Sequence, residues 1–313
     1  MASEEAIRAI NIVKRYGNFE AVRGISFEVK RGEAFALLGP NGAGKTTTVR
    51  MLTTLTNITS GEAYVNGYSV KSEGLRVRRS IGLVPDVSNL YEELTVEENL
   101  NFVADLYDAP RENVKMLLKE FNLPAKKKFG KLSSGFKRRV AIAAALVHEP
   151  SVLFLDEPTN GLDVHSAKAV RALVRELNKT GMTVFLTTHN MVEAESIPQR
   201  VAIMKEGRII AEGKRTELSK LIGKGVRVRL RVEPVSNKLI EALLQYGPNF
   251  DEGDLVFLIG DVDEFIEEIC RLRRTLGFKV LKLSTEAPSI EEVFIELTGN
   301  DRERPCHCGG CPL

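Results

Sequence analysis

An α/β fold with a mostly parallel sheet at its centre is predicted for this chain, and three observations predict it. Ala34–Leu38, Val152–Leu155 and Thr183–Leu186 are unbroken apolar runs, the length of strands covered on both faces. Segments of helical period lie between them. The first run leads straight into Gly39-Pro-Asn-Gly-Ala-Gly-Lys-Thr46, a glycine-rich loop of the kind that links a strand to a helix around phosphate.

Each element follows in order. Residues 5–32 alternate apolar and polar (Ile7, Ile10, Ile12, Val13; Ile25, Phe27, Val29) around a turn at Tyr16-Gly17-Asn18, which reads as an antiparallel β section. The strand Ala34–Leu38 and the glycine loop come next, with a helix from about Lys45 to Leu55. Residues 95–148 are mostly helical by period (Val96, Leu100, Val103, Leu106; Val114, Leu117, Leu118; Val140 to Val147), forming a helical insert at about 87–148. A helix at about 165–179 separates the last two apolar runs. After Gly223 the texture changes. Val226-Arg-Val-Arg-Leu-Arg-Val232 alternates strictly, with three arginines on one face that read as solvated. Strand-like and helix-like segments then alternate at 236–246, 254–260, 262–276, 278–285 and 289–299. The expected organisation is a nucleotide-binding domain at 1–222, a small C-terminal α/β domain at 224–299 and a cysteine-bearing tail at 300–313.

Bulk properties narrow the classes. At 313 residues the chain suits two domains, and 43% apolar content supplies their cores. A net charge of +2 gives no field that argues for nucleic acid, and none is expected as a partner. No stretch approaches the roughly 18 uninterrupted apolar residues that cross a bilayer. The acidic start, Met1-Ala-Ser-Glu-Glu5, lacks a signal-peptide core, so a cytosolic chain is expected.

The chemistry begins at Gly39, Pro40, Asn41, Gly42, Ala43, Gly44, Lys45, Thr46 and the following Thr47. Glycines let the backbone curl so that several N–H groups converge on phosphate oxygens at a helix N-terminus. Lys45 is expected to reach the β- and γ-phosphates, and the Thr46 hydroxyl to ligate Mg²⁺. Val152-Leu-Phe-Leu-Asp156-Glu157 supplies the other half of such a site, an apolar strand ending in carboxylates. Asp156 is expected to hold Mg²⁺ through water, and Glu157 to polarise the attacking water.

With those residues in view, the chain resembles the ATP-binding subunits of ABC transporters over about residues 5–222. Leu132-Ser-Ser-Gly-Phe136 resembles that family's signature loop, His189 after Thr187-Thr188 its switch histidine, and Gly161-Leu-Asp163 its interface loop. Tyr16 in Lys14-Arg-Tyr-Gly17 matches the aromatic residue that stacks on adenine. The resemblance implies a P-loop NTPase of ABC type that hydrolyses Mg-ATP within a head-to-tail homodimer. Ser133, Ser134 and Gly135 of one chain would cap the γ-phosphate held by the other. Ser133 and Gly135 stand before a helix of their own, so they form an anion site separate from the first loop. Two motifs depart from the family. Ser134 and Phe136 replace Gly and Gln of the signature, and Asp86 in Ile81-Gly-Leu-Val-Pro-Asp86 replaces the usual Gln. Asp86 is expected to be a weakened or water-mediated Mg²⁺ contact.

Among ABC proteins, repair ATPases need a long coiled coil between the phosphate motifs, and residues 47–151 carry no sustained heptads. Translation-acting members usually hold two nucleotide modules, and this chain has one. The ending Pro288-Ser-Ile-Glu-Glu-Val-Phe-Ile-Glu-Leu-Thr-Gly299 resembles the drug-export type related to daunorubicin-resistance ATPases. That implies a peripheral protein on the cytoplasmic face, driving export of a hydrophobic drug or lipid through a separate integral-membrane permease, with an importer as the alternative. Lys126, Lys127, Lys128, Lys131, Lys137, Arg138 and Arg139 around the signature read as a solvated face or as a field that steers the partner's nucleotide. Cys306, Cys308 and Cys311 crowd the tail beside His307. A thiophilic metal site, a redox-active end and an end without function all stay open for them.

Overall fold

The computed structural model describes residues 4–221, 225–251, 253–286 and 288–299. They form two compact units, Met1–Glu212 and Gly213–Leu313. The division falls earlier than the expected break after residue 222, because helix α8 (Arg215–Leu221) packs on the last helix, α11 (Ile290–Gly299).

In the first unit, β1 (Glu5–Tyr16) and β2 (Phe19–Lys30) form an antiparallel hairpin that pairs through β1 with β4 (Ser60–Val65), itself joined to β5 (Tyr68–Ser69). Strand β3 (Ala34–Leu38) enters a second, six-stranded sheet with β6 (Ile81–Val84), β7 (Val152–Asp156), β8 (Thr183–Thr188), β9 (Arg200–Lys205) and β10 (Arg208–Gly213), in the order β10-β9-β3-β8-β7-β6. Neighbours from β9 through β6 run parallel. All residues of β3, β7 and β8 are buried, as their unbroken apolar runs require. Phe35 and Phe185 of this sheet and Phe27 of the hairpin stack at 5.5–5.8 Å, locking the two sheets together.

Helices α1 (Lys45–Leu52), α2 (Gly74–Ser80), α6 (Val164–Lys179) and α7 (Met191–Ser196) flank the strands. The insert contributes α3 (Val96–Tyr107), α4 (Arg111–Glu120) and α5 (Ser134–Leu146). Thr95 and Glu98 close a capping box that starts α3. Helix α1 stops at Leu52, three residues short of the expected Leu55, and the Thr53 and Leu55 N–H groups cap it by donating to the Val49 and Arg50 carbonyls.

The second unit runs β11 (Val226–Glu233), α9 (Asn237–Leu243), β12 (Asn249–Asp251), β13 (Asp254–Ile259), α10 (Val262–Leu276) and β14 (Lys279–Glu286). Its sheet order is β12-β13-β11-β14 with antiparallel neighbours, a split βαβ arrangement. The three arginines of β11 do share a face, but each meets a carboxylate: Arg227 with Glu292, Arg229 with Asp251, Arg231 with Asp254. Carboxylates on α11, β12 and β13 therefore balance a face that read as merely solvated. Cys270 is exposed on α10, and the expected tail cysteines Cys306, Cys308 and Cys311 lie outside the described residues. No described helix is long and apolar enough to cross a membrane.

Candidate functional site

The parallel register brings three strand ends to one level. Leu38 pairs with Thr188, and Asp156 pairs with Thr187. The loops leaving β3, β7 and β8 consequently emerge side by side at the carboxyl edge of the sheet, where α/β folds hold ligands.

The glycine loop turns into α1 at Gly44, whose φ of 106° is left-handed. A Cβ there would stand 2.6 Å from the Ala21 carbonyl, so position and conformation both demand glycine. The turn folds Lys45 back over its own loop. The buried ammonium donates to the carbonyls of Gly39 at 2.8 Å and Pro40 at 3.2 Å, and pairs with Glu157 Oε1 at 3.1 Å. Glu157 has a left-handed φ of 50°, a costly conformation for a residue with a side chain. Its other oxygen meets His189 Nδ1 at 2.8 Å and the His189 N–H at 3.3 Å. Thus Lys45 and His189 converge on the Glu157 carboxylate from separate segments of the chain.

Beside them the Thr46 hydroxyl donates to Asp156 Oδ1 at 3.1 Å, and the Thr187 hydroxyl donates to the same oxygen. Burial pushes the Asp156 carboxyl above its ordinary range, against the pull of both hydroxyls. A buried carboxylate beside a hydroxyl is an all-oxygen donor set that suits a hard divalent cation such as Mg²⁺.

A cavity of about 520 Å³ opens over this cluster. Asn41, Gly42, Gly44, Lys45, Thr46, Thr47, Asp86, Glu157 and His189 line it, together with Phe19, Ala21 and Asn160. Of the other loop residues, Pro40 contributes its carbonyl to Lys45, and Ala43 is buried beneath with its N–H on Pro40. Tyr16, expected to face adenine, is not among the lining residues. Phe19, which the hairpin places directly opposite Tyr16, is.

Asp86 reaches the cavity wall under restraint. Asn160 Nδ2 donates to its Oδ1 at 3.2 Å, and Arg138 donates to its main-chain carbonyl at 3.0 Å and to that of Pro85 at 2.8 Å. Arg138 is buried, although it read as part of a solvated basic face. Burial works against its charge, while Asp86, Glu193 and Asp156 support it.

Ser133, Ser134, Gly135 and Asp163 do not line this cavity. Ser133 caps α5, which begins at Ser134, by accepting from the Phe136 N–H. Gly135 is buried against α6, and a Cβ there would sit 2.3 Å from Ser166 Oγ. Asp163 caps α6, accepting from His165 N, Ser166 N and Ser166 Oγ at 2.6–3.0 Å. These hydrogen bonds, Ser166 foremost, hold its carboxyl below the ordinary range.

Arg138, Asn160, Thr187, Phe19 and Glu193 were not anticipated as site residues. Only Arg138 carried a readable signal: Gly135, Arg138, Ile142 and Ala145 recur at the three-to-four spacing of one helix face. Glu193, on α7, accepts from the Thr188 hydroxyl just before His189, and burial raises its carboxyl above the usual range.

Known proteins share this architecture. The ABC transporter family profile matches residues 22–160. The linearmycin resistance ATP-binding protein LnrL of Bacillus subtilis is 35% identical, covering 94% of this chain and 98% of that protein. The daunorubicin resistance ATP-binding protein DrrA3 of Streptomyces coeruleorubidus is 36% identical over 96% of this chain and 98% of its own. The Nod factor export ATP-binding protein I of Rhizobium etli is 36% identical over 96% and 95%. Among solved structures, the dimeric post-hydrolysis state of the ATP-binding cassette MJ0796 with ADP and Pi superposes with a TM-score of 0.61 at 29% identity, covering 66% of this chain and 98% of that one.

Proposed function

The chain belongs to the ATP-binding subunits of ABC transporters, and from that membership we propose how its residues cleave ATP and what the cleavage drives. The ATPase energises export. The proposed cargo is a hydrophobic drug or lipid, carried by a separate integral-membrane permease at whose cytoplasmic face this subunit sits. Relatives named for drug resistance and for Nod factor export favour that reading over import, translation or repair.

The convergence of Lys45 and His189 on Glu157 carries the mechanism. Amides of residues 39–46 and Lys45 would bind and orient the triphosphate, so that catalysis rests on positioning and charge stabilisation. Thr46 and Asp156 would hold Mg²⁺, with Asp86 as an outer contact, and the ion would supply charge neutralisation at the phosphates. Glu157 would take up the proton of the attacking water, while the His189 imidazole holds that carboxylate in place. Ser133 and Gly135 lie off the cavity of their own chain, which supports their service in trans. A homodimer with two ATP molecules between the chains would then complete each site.

A second hollow of about 560 Å³ supports the permease assignment. Leu55, Val87, Tyr91, Phe102, Leu106 and Tyr107 line it, and all six expose apolar surface. Val87 follows Asp86 directly, so a permease segment seated there would press on the wall of the nucleotide cavity.

Size-exclusion chromatography tests the scheme. Glu157→Gln with Mg-ATP should elute at twice the monomer mass and hydrolyse at least a hundredfold more slowly, an expected loss of about 3 kcal/mol of transition-state stabilisation. Lys45→Ala should neither dimerise nor hydrolyse. A Glu157→Gln chain that stays monomeric with ATP and keeps full turnover would refute it.

A further inference from the structure

The His189 ring is half exposed, and Glu157 is its one ring hydrogen bond among the described residues. Its placement therefore depends on the main chain that carries it. That chain is fastened on both sides. The Thr188 carbonyl accepts from the Gly39 N–H at 3.1 Å, and the Asn190 N–H donates to the Thr188 hydroxyl at 2.9 Å, closing a turn over His189. The Thr188 hydroxyl passes its own hydrogen to Glu193 Oε2.

Glu193 is the third residue of α7, whose N-cap is Asn190. In a capping box the carboxylate at that position takes the N-cap N–H directly. Here a threonine hydroxyl is inserted between the two, and the enlarged ring takes in the main chain of His189. The arrangement is costly for a helix start. Glu193 is 1% exposed. Its Oε1 meets no partner in hydrogen-bond geometry, though the Thr159 hydroxyl is near enough to lower its titration. Burying a carboxyl group with one oxygen unmatched costs stability that an apolar side chain would not.

We propose that Glu193 is a positioning residue for ATP cleavage: by holding the Thr188 hydroxyl it fixes the main chain at His189 and so keeps the imidazole on Glu157. The inference rests on the hydrolysis scheme above and adds to it a residue that does not line the nucleotide cavity and acts through His189.

Steady-state hydrolysis of Mg-ATP by the full chain tests it. Glu193→Ala should lower kcat about ten- to hundredfold, the penalty of a misplaced active-site group, and move KM for ATP by no more than about twofold. Glu193→Gln keeps an oxygen for the Thr188 hydroxyl and should recover most of that rate. Thr188→Val, which retains the shape and breaks the same bond, should match Glu193→Ala, and the two together should be no slower than either alone. Should Glu193→Ala fail to fold, Thr188→Val carries the test. Full turnover in Thr188→Val, a Glu193→Gln chain as slow as Thr188→Val, or losses that multiply in the double variant overturn the proposal. His189→Ala with unimpaired turnover is a distinguishable result and would remove the reading beneath it.

Discussion

Replacing Arg138 by alanine should cost the first unit about 3–5 kcal/mol of stability. The guanidinium makes two charge-assisted hydrogen bonds, to Pro85 O at 2.8 Å and Asp86 O at 3.0 Å, from a side chain only 9% exposed. Each such bond is worth roughly 1.5–3 kcal/mol net, and truncation also leaves two carbonyls to find other partners. The Asp86 carboxylate adds little, because it is half exposed and 4.0 Å away. Urea unfolding of the nucleotide-free chain, followed by circular dichroism, reads the effect. With a slope of about 3 kcal/mol/M, the first midpoint should fall by about 1 M or more. Arg138→Lys should recover part of the loss, since an ammonium lacks the planar fork that spans two carbonyls. Lys137→Ala, one residue away on a surface pair with Glu92, should cost no more than about 1 kcal/mol. If Arg138→Ala and Lys137→Ala behave alike, Arg138 is not the tie between α5 and the Asp86 segment.

Gly135→Ala should destabilise by about 1–3 kcal/mol through the collision with Ser166 Oγ. In a Ser166→Gly background the same change should cost clearly less, and an unaltered cost in that double-mutant cycle would refute the packing argument. Glu193 titrates upward because it is buried, so its neutral form is the one the folded chain favours. That contribution is present at low pH and is lost as pH rises through the raised value. Glu193→Gln should therefore unfold with a shallower decline in midpoint than the unaltered chain as pH rises above the ordinary glutamate range, and parallel profiles would contradict the assignment.

Much of this was legible in the residues, for identifiable reasons. β3, β7 and β8 are buried on both faces, so their composition alone announces them. The loop at 39–46 is constrained by the glycine its turn requires and by the lysine its ligand would require. β4, β6, β9 and α7 passed unnoticed because they are short and lean on neighbours rather than on periodicity. Arg138 was misread since charge normally signals water, and only a burial partner such as the Pro85 carbonyl reverses that rule. Phe19 and Tyr16 could not be ranked by sequence, because they pair directly across the hairpin and only the folded position of that hairpin decides which ring lines the cavity. The antiparallel sheet of the second unit likewise follows from how two crossovers interleave, which helix and strand counts do not reveal.

The grip of Lys45 on Glu157 carries a consequence for a subunit that lives surrounded by nucleotide. On the roles proposed above, the cation that would receive phosphate and the anion that would activate water are partners 3.1 Å apart, so a triphosphate bound by Lys45 would compete for that lysine with the base itself.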